Sequence, residues 1–384
     1  MTSTNGPLAD AVIRARPEDF LVEEVTAFEP TGQGEHLALL VQKRGLDHAS
    51  MVRHLARAFR VPPGRVGWAG MKDKEAVTQQ WVTVQTEASD VPDLGHESLA
   101  VVSAERHARR LRLGHLTGNR FTIRMRQVDP TAVVEANRRL TTLASSGLPN
   151  RFMSQRFGYR GVNAVIGEHV LRRSPSQALA VWLGTAGACW PEAEQRRRED
   201  FDAGDFGAAL DAWPRNWKPE RAALASLKAG DDPEAVLSRV DRRVRRIWTD
   251  AAQSAIFNEV LRTRTGCGAM DGDITWSHDR FLEAMEVPTA PPVPTGPMWG
   301  RSMRRAGGEA AALELAALRK AGLTEEMMTA PSAPQGARRP LAIPVVSPRC
   351  VAGFDDHGPF VELGFVLPKG GYATAVAEAI ISGT

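Results

Sequence analysis

The chain reads as strand at both ends and as helix between them, and that order constrains its fold more than any other feature. Residues 36–41, 78–84 and 121–126 are rich in β-formers, the last in strict alternation. Val361, Leu363, Phe365 and Leu367 alternate again near the C-terminus. From about residue 160 to about residue 335 the texture is helical and broken by prolines. A helical domain inserted into a sheet-based one is the arrangement this order predicts. Helix signals support it in detail. Asp47 reads as the N-cap of a helix reaching about Arg60, with Val52, Leu55 and Phe59 on one face. Asp129-Pro130 opens a second, with Val133, Leu140 and Leu143 as its stripe and Gly147 as its stop. Asp232-Pro233 opens a long pattern through Val236, Val240, Val244 and Ile247, and residues 309–320 form an Ala/Leu helix ended by Gly322. Five prolines in 288–297 and the Pro/Gly/Arg-rich stretch 331–340 read as connections. A turn at Lys369-Gly-Gly371 and a helix to about Ile381 close the chain.

Composition narrows the class. The 384 residues suit two or three domains, with 43% apolar and 24% charged residues as in ordinary globular proteins. No apolar run is long enough for a membrane span, and the N-terminus lacks the basic and apolar regions of a secretory signal. Cys189, Cys267 and Cys350 are dispersed and odd in number, which fits a reducing cytoplasm rather than a disulfide framework. The nine histidines show no metal-ligand spacing. A net charge of +3 decides nothing about partners; its distribution does more. Residues 105–126 hold seven arginines (106, 109, 110, 112, 120, 124 and 126) against one acid. In the strand 121–126, Thr122, Arg124 and Arg126 share the face opposite Phe121, Ile123 and Met125. Arginine suits bidentate phosphate contacts, and further clusters at 239–246 and 301–305 favour a polyanionic partner.

The segment from Gly67 to Trp81 carries the densest chemistry. Gly70 permits a tight backbone path, and Lys72-Asp73-Lys74 follows just before a strand. An aspartate between two lysines stays ionised, which suits a nucleophile or base, although an ordinary charged turn has the same composition. Phe20 reads first as a core anchor, Asn119 as a turn residue sharing a strand face with Phe121, and Tyr372 as a helix-start residue. There is no Walker A loop, and Gly266-Cys-Gly268-Ala-Met-Asp-Gly272 lacks dinucleotide-loop spacing. The zinc-deaminase pattern and the G-x-S-x-G elbow are also missing.

Four segments resemble the TruD family of tRNA pseudouridine synthases. They are Pro17-Glu-Asp-Phe20-Leu-Val-Glu-Glu24, Ala69-Gly-Met-Lys-Asp73-Lys-Glu-Ala-Val-Thr-Gln-Gln-Trp81, Leu111-Arg-Leu-Gly-His-Leu-Thr-Gly-Asn119-Arg-Phe121 and Gln155-Arg-Phe-Gly158. Weaker echoes are 254–258, 337–341 and 365–374. The resemblance implies an α+β fold: a mixed or antiparallel sheet domain of residues 1–157 and 338–384, carrying an inserted helix-rich domain at 158–337. It implies isomerisation of a uridine in tRNA, typically uridine 13 in the D-arm, without cofactor or metal. Asp73 would be the catalytic aspartate, with Phe20, Asn119, Phe121, Lys72 and Tyr372 contributing to the uridine pocket. The partner would be tRNA, held through the arginines of 106–126 by a cytoplasmic monomer with no membrane attachment. The family's Pro-Asn-Tyr-Phe-Gly is here Pro149-Asn-Arg151-Phe-Met153, so a loop that could use positive φ at glycine carries methionine, and Arg151 offers a further phosphate contact. Two other readings compete. One is a non-catalytic RNA-binding or chaperone protein of the same fold. The other is a glycosidase pairing Asp73 with Glu18, Asp19 or Glu24.

Overall fold

The computed structural model describes residues 6–26, 28–264 and 268–383, and the chain divides into two compact units. One comprises Met1–Leu148, Ser277–Pro291 and Ile343–Thr384; the other comprises Pro149–Trp276 and Pro292–Ala342. The interruption thus runs from 149 to 342, beside the 158–337 that the family resemblance implied, and within it 277–291 packs with the first unit. Cys267 and the start of the discarded glycine loop lie outside the described residues.

The first unit is built on an eight-stranded mixed sheet. In chain order its strands are β1 (Phe20–Val25), β2 (His36–Arg44), β3 (Val66–Trp68), β4 (Val77–Gln85), β5 (Leu99–His107), β6 (Gly118–Met125), β7 (Val346–Asp355) and β8 (Gly358–Pro368). Their spatial order is β7-β8-β6-β1-β4-β2-β5, with β3 on β4. The β1–β4 pair is parallel and the other pairs are antiparallel. The two ends of the chain therefore meet inside one sheet, where Phe121 of β6 lies opposite Phe365 of β8.

Period-two burial produces this sheet. Val361, Leu363, Phe365 and Leu367 of β8 join Phe20, Val22, Phe121, Ile123 and Met125 in one core, closed by the helices Val133–Ser146 and Ala373–Ser382. Leu37, Leu39 and Val41 of β2 form a second core with Met51, Val52, Leu55 and Phe59 of the helix His48–Ala58 and its end. Asp47 caps that helix by accepting from the Ser50 N–H at 2.9 Å. Gly147 closes the 133–146 helix at φ 81°, a conformation that favours glycine.

The second unit is mainly helical, and its largest core gathers Trp182, Trp190, Trp213 and Trp248. It departs from the sequence reading twice. The pattern opened by Asp232 breaks after Pro233–Arg239, because Val240 is extended and Asp241 caps a new helix, Arg242–Thr263. Ile247, read as continuing the same apolar repeat, is 52% exposed. The proline-rich stretch is also not merely a connection. Val293–Met298 is the middle strand of a three-stranded sheet, between Thr275–Trp276 and Ala337–Pro340. Proline there removes a donor but leaves the carbonyl, and Pro294 O accepts from the Leu341 N–H at 2.9 Å. Met153 has φ −86° and ψ 169°, so its place in the loop requires no positive φ.

Candidate active site

Asp73 lies in the loop joining β3 to β4. That loop is held from several directions within the first unit. The Gly114 N–H donates to Ala69 O at 2.9 Å and Gln80 Nε2 to Gly70 O at 3.1 Å. Gly70 serves close packing here rather than an unusual φ. A Cβ on it would stand 3.1 Å from Lys72 Nζ and 3.5 Å from Glu24 Oε2. The Lys72 ammonium bonds Glu24 Oε2 at 2.6 Å, with both side chains almost fully buried. Burial, the leading influence, raises the Glu24 pKa, opposed by Lys72 and by the Trp81 backbone N–H.

With Lys72 turned inward, the Asp73 side chain remains about one-third exposed. Arg14 Nη2 donates to its Oδ2 at 2.6 Å, and the Glu75 N–H donates to Oδ1 at 3.1 Å. Lys43 Nζ donates to its main-chain carbonyl at 2.5 Å. Arg14 adopts φ +60°, where a non-glycine residue carries strain of roughly 1–3 kcal/mol, and its guanidinium lies 4.2 Å from the centroid of the Phe20 ring. Phe20 thus links this ion pair to an aromatic column. Its ring is 6.3 Å from that of Phe121, which is 5.6 Å from that of Phe365. Phe20 and Phe121 are core residues, 2% and 6% exposed.

Asn119 stands opposite Glu24 on β1 and Leu367 on β8. Its amide oxygen is buried with no hydrogen-bond partner among the described residues, an unusual state for a buried acceptor. Tyr372 is half-buried at the N-cap of the final helix, just past a turn whose Lys369 N–H donates to Thr117 O at 3.1 Å. That bond ties the turn to the segment leading into Asn119. A cleft of about 550 Å³ lined by Ala15, Arg16, Arg126, Gln127, Val128, His357 and Pro359 does not include Asp73.

The other carboxylates have partners of their own. Asp19 is wholly buried against Arg126, Glu18 pairs with Arg44, and Glu24 pairs with Lys72. Each is therefore neutralised by a cation of its own, whereas a glycosidase needs a second carboxyl free to act beside Asp73. The arginine-rich segment is likewise less available than its count implies. Arg126 binds both Asp19 and Asp355, and Arg124 bonds Glu362 at 2.9 Å. Arg106 donates to the carbonyls of Thr86, Glu87 and Ala88, and Arg110 donates to Val66 O. Arg109 and Arg112 are exposed. Among the described residues no three His, Cys, Asp or Glu side chains gather as a metal site, and no helix is long and apolar enough to cross a membrane.

Arg14 and Lys43 escaped the sequence reading, which named Glu24 only as a possible glycosidase carboxylate and not as the partner of Lys72. Lys43 and Glu24 were marked by alternation. Lys43 shares the face of Leu39 and Val41, and Glu24 shares that of Phe20 and Val22. Arg14 has no comparable local signal.

Fold and site together define a mixed-sheet α+β protein with an ion-paired aspartate on a sheet loop and a large helical interruption of the sheet domain. The family model described as tRNA pseudouridine synthase D (TruD) matches residues 1–380. The tRNA pseudouridine synthase D of Geobacter sulfurreducens is 36% identical over 390 residues, covering 98% of this chain and 95% of the relative. That of Geobacter metallireducens is 36% identical over 392 residues, covering 98% and 96%. A crystal structure of a candidate TruD from Methanosarcina mazei superposes with a TM-score of 0.82 at 26% identity, covering 99% of this chain and 95% of that one. The chain belongs to the tRNA pseudouridine synthase D family.

Proposed function

We propose that this protein isomerises a uridine of tRNA, position 13 of the D-arm, to pseudouridine, with Asp73 as the catalytic carboxylate. The observation that carries the reading is the Asp73 carboxylate itself, exposed yet held at Oδ2 by Arg14, which rests on Phe20. The reaction breaks C1′–N1 and joins C1′ to C5. The C5 proton is lost and N1 gains one, so no external redox partner or group carrier is needed. A base stacked in folded RNA cannot present these atoms and must be turned out of its stack. Asn119 offers the extruded uracil a buried amide oxygen without a partner among the described residues, while Phe20, Phe121 and Tyr372 border the pocket and Lys72 orients the loop through Glu24. Arg109 and Arg112 contact phosphates, and the protein works as a cytoplasmic monomer.

The test is tritium release from an unmodified tRNA transcript labelled at uracil C5. It does not depend on whether the carboxylate attacks C1′, adds to C6 or removes the C2′ proton, since each route ends in loss of the C5 proton. Wild type releases label from one uridine, mapped at position 13, and Asp73→Asn releases none. Full release by Asp73→Asn, or none by wild type from any tRNA, would defeat the proposal.

A further inference from the structure

Lys43 lies on the buried face of β2 and has no exposed surface, yet ends in an ammonium. Nζ donates to two main-chain carbonyls on different segments, Leu46 O at 2.8 Å before the 48–58 helix and Asp73 O at 2.5 Å. A methionine would fill the same volume between the sheet's apolar neighbours without taking a charge out of water. What the fold uses at this position is therefore the donors rather than the bulk. Three bonds then define where Asp73 stands. Arg14 holds one carboxylate oxygen, the Glu75 N–H holds the other, and Lys43 holds the peptide from which the side chain springs.

We infer that Lys43 is a positioning residue, whose buried ammonium anchors the Asp73 peptide and so sets the carboxylate's place for reaction with uridine. This rests on the reading of Asp73 as the catalytic group. Small displacements of a reacting group are expensive: about 1 Å costs on the order of 100-fold in rate.

The groups facing Lys43 are Asp47 at the helix cap, His48, Lys72 and Asp73. Burial dominates and lowers the Lys43 pKa to about 8, with Asp73 and Asp47 opposing the change and Lys72 adding to it. Between pH 8 and the ordinary lysine value of 10.5 the unfolded chain therefore holds a proton that the folded chain has lost. Lys43 accordingly contributes rising stability across that window while its grip on Asp73 weakens. A purely structural lysine would not make activity fall where the fold gains.

The experiment compares the intact wild type, Lys43→Met and Asp73→Asn from pH 6.5 to 9.5. It measures single-turnover tritium release at saturating tRNA, tRNA Kd and thermal melts. Lys43→Met is expected to lose about 10- to 100-fold in rate with Kd within about twofold. The wild-type rate should fall with a midpoint near pH 8, and that limb should vanish in Lys43→Met, whereas any limb from ionising RNA bases persists in both. A wild-type rate for Lys43→Met alongside an inactive Asp73→Asn overturns the role of Lys43 alone. An active Asp73→Asn overturns the Asp73 reading and this inference with it. If Lys43→Met does not fold, the wild-type profile decides, and a rate unchanged from pH 7 to 9 overturns the inference.

Discussion

Lys72→Met should unbalance the interior beneath the Asp73 loop. Lys72 and Glu24 meet at 2.6 Å with side chains only 4% and 1% exposed. Removing one member of such a pair leaves the other charge buried, at a cost of about 3–5 kcal/mol, against about 0–1 kcal/mol for a surface pair. The loss has a signature in pH. Burial already raises the Glu24 pKa against the pull of Lys72, so deleting the lysine raises it further. A carboxyl with a raised folded pKa binds its proton more readily in the fold. Its ionisation removes stability as pH rises from the ordinary value of 4.5 through the folded pKa, and acidification restores it. Lys72→Met should therefore be most destabilised at pH 7 and recover part of the loss near pH 5. Glu24→Gln, which strands the ammonium instead, should be costly too, while the double variant should lose less than the sum by about 2 kcal/mol. Native-state hydrogen exchange of the β1 and β6 amides reads these costs in the sheet, separately from the helical unit. A cost below about 1 kcal/mol at pH 7, or additive single variants, would refute the argument by showing that water shares the pair.

Two further variants probe the arginines. Arg126→Met strands the wholly buried Asp19 and should cost about 3–5 kcal/mol in sheet exchange. It should also flatten the acid limb of a melting profile, because hydrogen bonds from Arg126 hold the Asp355 carboxyl far below its usual range, and the associated stability disappears as pH falls through that depressed pKa. Arg109→Ala with Arg112→Ala should weaken tRNA binding and lower the salt slope by about 0.7–0.9 for each phosphate no longer neutralised, measured by filter binding at several salt concentrations. Arg124→Ala, already occupied by Glu362, should leave the slope unchanged.

How much of this was legible depended on the range of the interactions involved. β6, β8 and the capped helices declare themselves locally. Alternation buries Phe121 and Phe365, Asp47 reaches an N–H three residues away, and Gly147 takes a φ that suits glycine. The break at Val240 is also local, but periodicity outvoted the Asp241 cap beside it. The charged groups follow a different rule. Arg126 finds Asp355 across 229 residues and Arg124 finds Glu362 across 238, so a count of seven arginines over 22 positions overstates the charge available to phosphate. Arg14 meets Asp73 across 59 residues from an isolated position of positive φ. Lys43 and Glu24 were visible as charges in register with apolar neighbours, and a charge on a core face requires a partner there. The sheet could therefore be read along the chain, and the motif singled out Asp73 as the candidate carboxylate. Of the side chains that hold Asp73 in place, Lys43 comes from β2, 30 residues away, and Arg14 from a segment 59 residues away. Charges out of step with the pattern of their own strand are the signal by which groups such as Lys43 and Glu24 can be found, a signal Arg14 does not carry.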